Sequence, residues 1–422
     1  MSAPREASTS ASRAQPGRIT RREDRREALL GAAAQMFNRR GLRGTTLAEV
    51  AASVGLAGNS ITHYFRRKED LAVACLLRAI EAVVRLAQQA GATPDPAARV
   101  RSFIVGYLAM LAAIDRGEHA DLVRFHDIRA LEPEHREQVV AAYVPMFRAV
   151  RALLGPAQAG AQAQRAHSAR TLFLLTAAFW SRAWIRRYDP DDYPLIGQRI
   201  TDIVLEGLAA EGASWATVPR WQGPSPLAGA PEDPMRAAFL KAATLQMNEQ
   251  GFRGASIDRI AARLNLTKGA FYHHLSDKDE LIAACFERSF AAVRRAQDLA
   301  RTADTGWERL LQAAGALTCH QCSDDGPLLR FTARSALPES MRGDARRTMD
   351  RLTQRYGQFV IDGIADGTIR PVDPSVAADL MTGTINAVVE LGHWLPGYRL
   401  DEALDAYLKT LFFGLRRTLA QN

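Results

Sequence analysis

The chain has 422 residues, 47% of them apolar and 24% charged, with a formal charge of +8. These fractions exclude wholesale disorder and supply core for two or three domains. We find no uninterrupted apolar run near ~18 residues, so no membrane span is expected. The first residues lack the apolar stretch of a secretory signal, and four cysteines are too few for a disulfide scaffold, so the expected compartment is the cytoplasm.

Residues 1–22 read as a disordered basic arm. Arg18, Arg21, Arg22, Arg25 and Arg26 crowd against only Glu23 and Asp24. Such an arm serves nucleic acid or simply solubility. Residues 24–40 then pattern as a helix, with Ala28, Ala32, Phe37 and the Leu29, Ala33 and Met36 set facing inward, and Gly41 stops it. Thr45 or Thr46 starts a short helix through Ala52. A tight connection at Ser53-Val54-Gly55 leads to a second short helix over about 57–63.

Two short helices joined by a tight turn make a helix-turn-helix, whose second helix enters the major groove of DNA. Leu47, Val50, Ala51, Val54, Leu56 and Ile61 would hold the unit together. Gly58, Asn59, Ser60, Thr62 and His63 would face out, and short hydrogen-bonding groups suit base edges and phosphates. Seen once, the pattern fits equally well a small hairpin that binds nothing.

It is seen twice. Residues 41–71 align without a gap on residues 251–281, with nine of 31 positions identical. The outward set of the second copy is Lys268, Gly269, Ala270, Tyr272 and His273, with Thr267 as N-cap. The same offset of 210 places Cys75 on Cys285, Trp184 on Trp394 and Tyr188 on Tyr398. The duplication therefore spans nearly the whole chain. The expected divisions are a first head at 23–75, a first body at 76–211, a linker at 212–233, a second head at 234–285 and a second body at 286–422. The linker is rich in Pro, Gly and Ala, and its Trp215 and Trp221 would dock on a folded surface.

Both bodies read as helical. Aromatic residues at helical spacing are most simply core, and they also line ligand cavities. The candidates are Tyr107, Phe125, His126, Phe147, Phe173 and Trp180 in copy one, and Phe331, Arg334, Tyr356 and Phe359 in copy two. Cys319 and Cys322 form a lone C-x-x-C without a second pair, so no metal is expected. No Gly-rich phosphate loop, HExxH or nucleophile elbow is present, so neither an enzyme nor a cofactor is expected.

The motif resembles the TetR family of bacterial repressors. Copy two carries it as Gly251, Ser256, Ile260, Ala261, Leu266, Thr267, Lys268, Gly269, Tyr272, His273, Lys278 and Leu281. Copy one carries Gly41, Thr46, Val50, Ala51, His63, Phe65, Lys68 and Leu71, and departs with Ala57 at the N-cap and Thr62 in place of the family's Tyr, Tyr64 following two residues later. The resemblance implies an all-α fold of two tandem units, each a three-helix DNA-binding head and a helical body for ligand and dimerisation. It implies that Thr46, Ser256, Lys68, Lys278, Tyr272 and His273 contact DNA backbone, and that Lys268 reaches a base edge or phosphate. The implied partners are a double-stranded operator and a small hydrophobic effector. Helices near 165–188, 192–211, 373–396 and 401–420 would pair within the chain as a pseudo-dimer reading an asymmetric site. A dimer of tandem chains is the alternative, as is a ligand or redox sensor with DNA binding lost.

Overall fold

A computed structural model of the chain describes residues 16–125, 128, 131–215, 233–250, 255–331, 333, 337–394 and 404–420. Among these the regular structure is all helical, apart from one isolated antiparallel bridge between Ala209 and Ile369. Copy one opens with α1 (Pro16–Arg40), α2 (Leu47–Ser53), a 3-10 turn over Gly58–His63 and α3 (Lys68–Gly91). Its body adds α4 (Pro96–Asp115), α5 (Pro133–Ala152), α6 (Ala161–Ser181) and α7 (Tyr193–Glu206). Copy two repeats the order with α8 (Pro234–Gln250), α9 (Ile257–Arg263), α10 (Lys268–Tyr272) and α11 (Lys278–Ala300). Its body is α12 (Gly306–Cys322), α13 (Glu339–Ala365), α14 (Pro374–Trp394), a π-helical turn over Leu404–Leu408 and α15 (Lys409–Ala420).

Two expectations are corrected. Residues 16–22, assigned to a disordered arm, are the first turns of α1. Pro16 suits a first helical position, and no Gly or Pro interrupts the stretch from Arg18 to Arg40 until Gly31. Second, Ala28, expected on the inner face of α1, is exposed, because the buried stripe begins at Leu29 and Leu30. By length and composition alone α4 is apolar enough to cross a membrane. Its Val100, Phe103, Ile104, Leu108 and Leu111 are buried as it packs on α3 and α7, which is what a core helix does.

The repeat extends into the bodies. Arg99 donates to the Thr93 carbonyl ahead of α4, and Arg309 donates to the Ala303 carbonyl ahead of α12, again 210 residues on. The next connection is shorter in copy two. Asn38 donates to the Leu122 carbonyl and accepts from the Arg124 N–H, at 2.9 and 3.0 Å. Asn248 makes the same pair of bonds to Leu328 and Arg330, at 2.9 and 3.0 Å. Each asparagine thus clasps a body loop to the first helix of its head.

The two copies meet through their last helices. α6 and α7 pack on α14 and α15, and one continuous apolar core runs through both bodies. Leu208 and Ala209 donate to the Phe412 carbonyl at 2.8 and 2.9 Å. Gly207 and Gly414 lie at this crossing with φ of 74° and 73°, and a Cβ on Gly207 would sit 2.4 Å from the Phe412 oxygen. Glycine is therefore required there both by conformation and by space. Arg187 grips buried Asp379 through two bonds of 3.0 and 3.2 Å, Arg370 pairs with Asp202 at 2.7 Å, and Arg199 pairs with Asp373. Trp215 docks as expected, with ring contacts of 5.8 Å to Phe412 and 6.0 Å to Phe413. Trp221 lies outside the described residues.

Candidate DNA interface

Each head is built by the same local rules. Gly41 ends α1 at φ 70°, and its N–H donates to the Phe37 carbonyl at 2.8 Å. Thr46 caps α2 in a reciprocal box: its hydroxyl accepts from the Glu49 N–H while the Glu49 carboxylate accepts from the Thr46 N–H at 2.8 Å. Those Thr46 bonds hold the Glu49 carboxyl below its usual range. Ser256 caps α9 by accepting from the Arg259 N–H. The turn between the paired elements needs a left-handed residue, supplied by Gly55 at φ 72° and by Asn265 at φ 57° at the matching position. The next residue then bonds back identically in both heads, Leu56 to Ala51 and Leu266 to Ala261, each at 2.9 Å.

The second element hangs on one buried side chain, Ile61 in copy one and Phe271 in copy two, both 0% exposed. Val50 and Ala51 pack beneath the first, and Ile260 and Ala261 beneath the second. The outward face emerges as expected in copy two: Lys268, Gly269, Tyr272 and His273 are exposed, and Ala270 is half-buried. In copy one, Gly58, Thr62 and His63 are exposed, Ser60 and Tyr64 are half-buried, and the Asn59 side chain lies outside the described set. Lys68 and Lys278 open α3 and α11. Thr267 holds the N-cap position of α10, without a side-chain cap bond.

Several candidates are displaced. Thr45 is buried and donates its hydroxyl to the Gly41 carbonyl, so it serves the turn and not an outer face. The second element of copy one is a 3-10 turn, not an α-helix. Lys268 already has a partner, Asp258, at 3.4 Å. Sequence reasoning also passed over His274, whose Nδ1 meets Asp233 at 2.7 Å and ties the second element to the start of α8. The Asn38 and Asn248 clasps were missed as well, although the two residues stand 210 apart just ahead of the aligned block.

In the bodies the aromatic candidates divide. Tyr107 and Phe125 pack with Phe179, and Phe125 with Tyr143, in a ring cluster at 5.1 to 5.9 Å. Phe147 is half-buried against the core. Phe173 faces Tyr407 of copy two at 6.1 Å, and Trp180 faces Phe331 at 6.3 Å. Those three therefore belong to packing between the copies. Phe359 is buried beneath the α12–α13 contact, its carbonyl pressed against Gly306. Tyr356 does line a cavity. His126 and Arg334 lie outside the described residues. Among the described residues no cluster of three or more His, Cys, Asp or Glu could hold a metal.

The sequence profile for bacterial regulatory proteins of the tetR family matches residues 29–75 and 239–285, one match on each head. The chain thus carries the tetR-family match twice, once in each copy of the duplication. Among its relatives is the transposon Tn10 TetC protein of Escherichia coli, 30% identical over 73 residues, a stretch covering 17% of this chain and 37% of that protein. The HTH-type transcriptional repressor DhaR of Mycobacterium sp. (strain GP1) is 24% identical over 192 residues, covering 43% of this chain and 92% of DhaR. The crystal structure of apo AibR aligns with 20% identity and a TM-score of 0.36, over 42% of this chain and 99% of AibR. The match to DhaR, nearly the whole of that protein, thus occupies less than half of the tandem chain.

Proposed function

We propose that this tandem TetR-family chain is a cytoplasmic transcriptional repressor whose two heads grip one operator and let go when a small ligand enters a body. The observation that carries the reading is the paired helix-turn-helix, each with an exposed outer face, in a chain whose bodies pack through their last helices. Two recognition elements about 34 Å apart, one DNA turn, let a protein of this class hold a duplex. A linker of ~23 residues spans up to about 75 Å when extended, and pairing within a chain benefits from high effective concentration. The reading is therefore an intramolecular pseudo-dimer. Its two recognition elements differ in sequence and in helix type, so the preferred operator has two unlike half-sites. The ligand acts by favouring a body shape in which the heads are misplaced.

The test is to select bound fragments from the source genome, titrate them with salt and weigh the complex by light scattering. The expected result is binding that weakens with salt, one 46.3 kDa chain per duplex and an asymmetric footprint. A mass near two chains with a symmetric footprint would replace the pseudo-dimer with a four-headed dimer.

A second reading, a sensor with DNA binding lost in head one, is favoured by one observation. The Gly58–His63 turn carries no lysine or arginine, and Ala57 ahead of it gives no side-chain cap. It predicts that only head-two substitutions affect DNA.

A further inference from the structure

We infer that the effector site belongs to copy two alone, that the equivalent space in copy one is filled by its own aromatic rings, and that the ligand is an uncharged, mainly apolar molecule bearing a hydroxyl or carbonyl group. This rests on the ligand-controlled regulator proposed above and specifies its site.

The two bodies can be laid over each other residue by residue. α4 and α12 stand 210 residues apart, fixed by Arg99 and Arg309. α5 and α13 stand 206 apart, fixed by the clasps at Leu122 and Leu328. The burial pattern agrees at three of four positions: Val139, Met146 and Val150 on α5 fall on buried Ala345, Leu352 and Tyr356 on α13, while buried Tyr143 falls on half-buried Met349.

In that register the copies differ where it matters. Copy one fills the space between α4, α5 and α6 with Tyr107, Phe125, Tyr143 and Phe179, whose rings interlock at 5.1 to 5.9 Å. At three of those positions copy two has Leu317, Met349 and Val389, and Thr353 stands in place of Phe147. The counterpart of Phe125, Phe331, leans toward Trp180 of copy one, and the rings copy two adds, Phe290 and Tyr356 in place of Ile80 and Val150, stand in the cavity wall without filling it. A cavity of about 20 Å³ remains where the rings would have been, walled in part by Leu317, Met349 and Thr353. That volume holds roughly one water, so a ligand must enlarge it, and the unbranched Met349 is the wall residue best able to move.

The wall also defines the chemistry. Ser289, Thr382 and Asn386 line it where copy one has Ala79, Leu172 and Thr176. The Thr353 and Thr382 hydroxyls lie 3.2 Å apart, a pair within reach of one ligand oxygen. Among the described residues no carboxylate, ammonium or guanidinium lines the cavity. A charged ligand would lose its hydration there without compensation. Leu328 and Leu329 complete one side, and the Leu328 carbonyl is held by Asn248 of the head, so enlargement of the cavity pulls on α8.

The probe is 4-methylphenol, an uncharged ring with one hydroxyl, titrated into the full chain by calorimetry. One molecule per chain is expected. Filling copy two with L317Y, M349Y and T353F should abolish binding, and T353F alone should weaken it at least tenfold. The reciprocal set Y107L, Y143M and F147T should open copy one and raise the stoichiometry to two. Helical circular dichroism and a DNA gel shift accompany each variant. Two molecules per wild-type chain, none, or binding that survives T353F unchanged would overturn the proposal. A chain that takes one 4-methylphenol but no DNA keeps the site and loses the regulator; a chain that binds DNA but not the probe does the reverse.

Discussion

Lys268 and Asp258 meet at 3.4 Å on an exposed face, a pair that contributes little to stability and is easily given up to a phosphate or base. Substituting Lys268 by Ala should therefore alter base preference more than fold. Lys68→Ala and Lys278→Ala, at the starts of α3 and α11, should weaken binding to every sequence and lower the salt slope by roughly one each. Fluorescence anisotropy at several salt concentrations measures both effects, and three unchanged isotherms would count against the head assignment. The buried anchors behave differently. Ile61→Ala and Phe271→Ala remove side chains that are 0% exposed, at a cost of about 2–5 kcal/mol each. Hydrogen exchange should show the loss confined to the head that carries the change. At this scale the sequence was readable wherever the signal was local. Caps, Gly41 and the apolar anchors follow from spacing. Thr45 and Thr46 could not be separated, because which of two adjacent threonines turns inward is decided by tertiary packing.

Between elements, the sequence left more unsaid. The helix-turn-helix was legible because Gly55 and Asn265 take the same left-handed turn and the same residues close it. The 3-10 form of Gly58–His63 was not, since a six-residue stretch with no side-chain cap at Ala57 carries almost no propensity signal. The charges at the contact of α6 with α14 were not legible either, because they depend on which residues meet across the two copies. Asp379 is buried, and burial pushes its carboxyl up to about 7, with Arg187 opposing. An unfolded Asp titrates near about 3.9. Between about pH 4 and 7 the folded chain holds this proton and the unfolded chain does not, so the contribution of Asp379 to stability is lost as pH rises. Buried His320, pushed down to about 4, works in the opposite direction below about pH 6.5. Comparing melting curves of the wild type with Asp379→Asn cancels the histidine. Relative to the variant, the wild type should lose stability from pH 4 to 7, on the order of 1 °C per kcal/mol for a chain of this length. Parallel curves would remove Asp379 as the source.

At the scale of the molecule, head one is continuous with the apolar core that passes through both bodies, whereas head two packs around a core of its own centred on Phe239, Ile260 and Phe271. Each head is also clasped to its own body loop by an asparagine, Asn38 or Asn248. Breaking the second clasp with Asn248→Leu should leave DNA affinity within about threefold while loosening the backbone around Leu328–Arg330, as read by hydrogen exchange. If release by ligand survives in that variant, the clasp is not the route by which the body speaks to the head. The tandem architecture was legible because a gapless repeat survives in the heads. The division of labour between the bodies was hidden, because it depends on which large side chains meet across three helices. Periodicity reports a face, not the volume opposite it.

The pair Arg187–Asp379 has a consequence for the choice of partner. In a two-fold homodimer every substitution appears twice and must suit both sides at once. Here the position matching Asp379 in copy one is Ala169, and the position matching Arg187 in copy two is Gly397. Copy two paired with another copy two would set a glycine, not an arginine, at the position matched to each Asp379 carboxylate. Each half thus suits an unlike neighbour better than its own kind, and cutting the chain at its linker should give two pieces that pair with each other rather than with themselves.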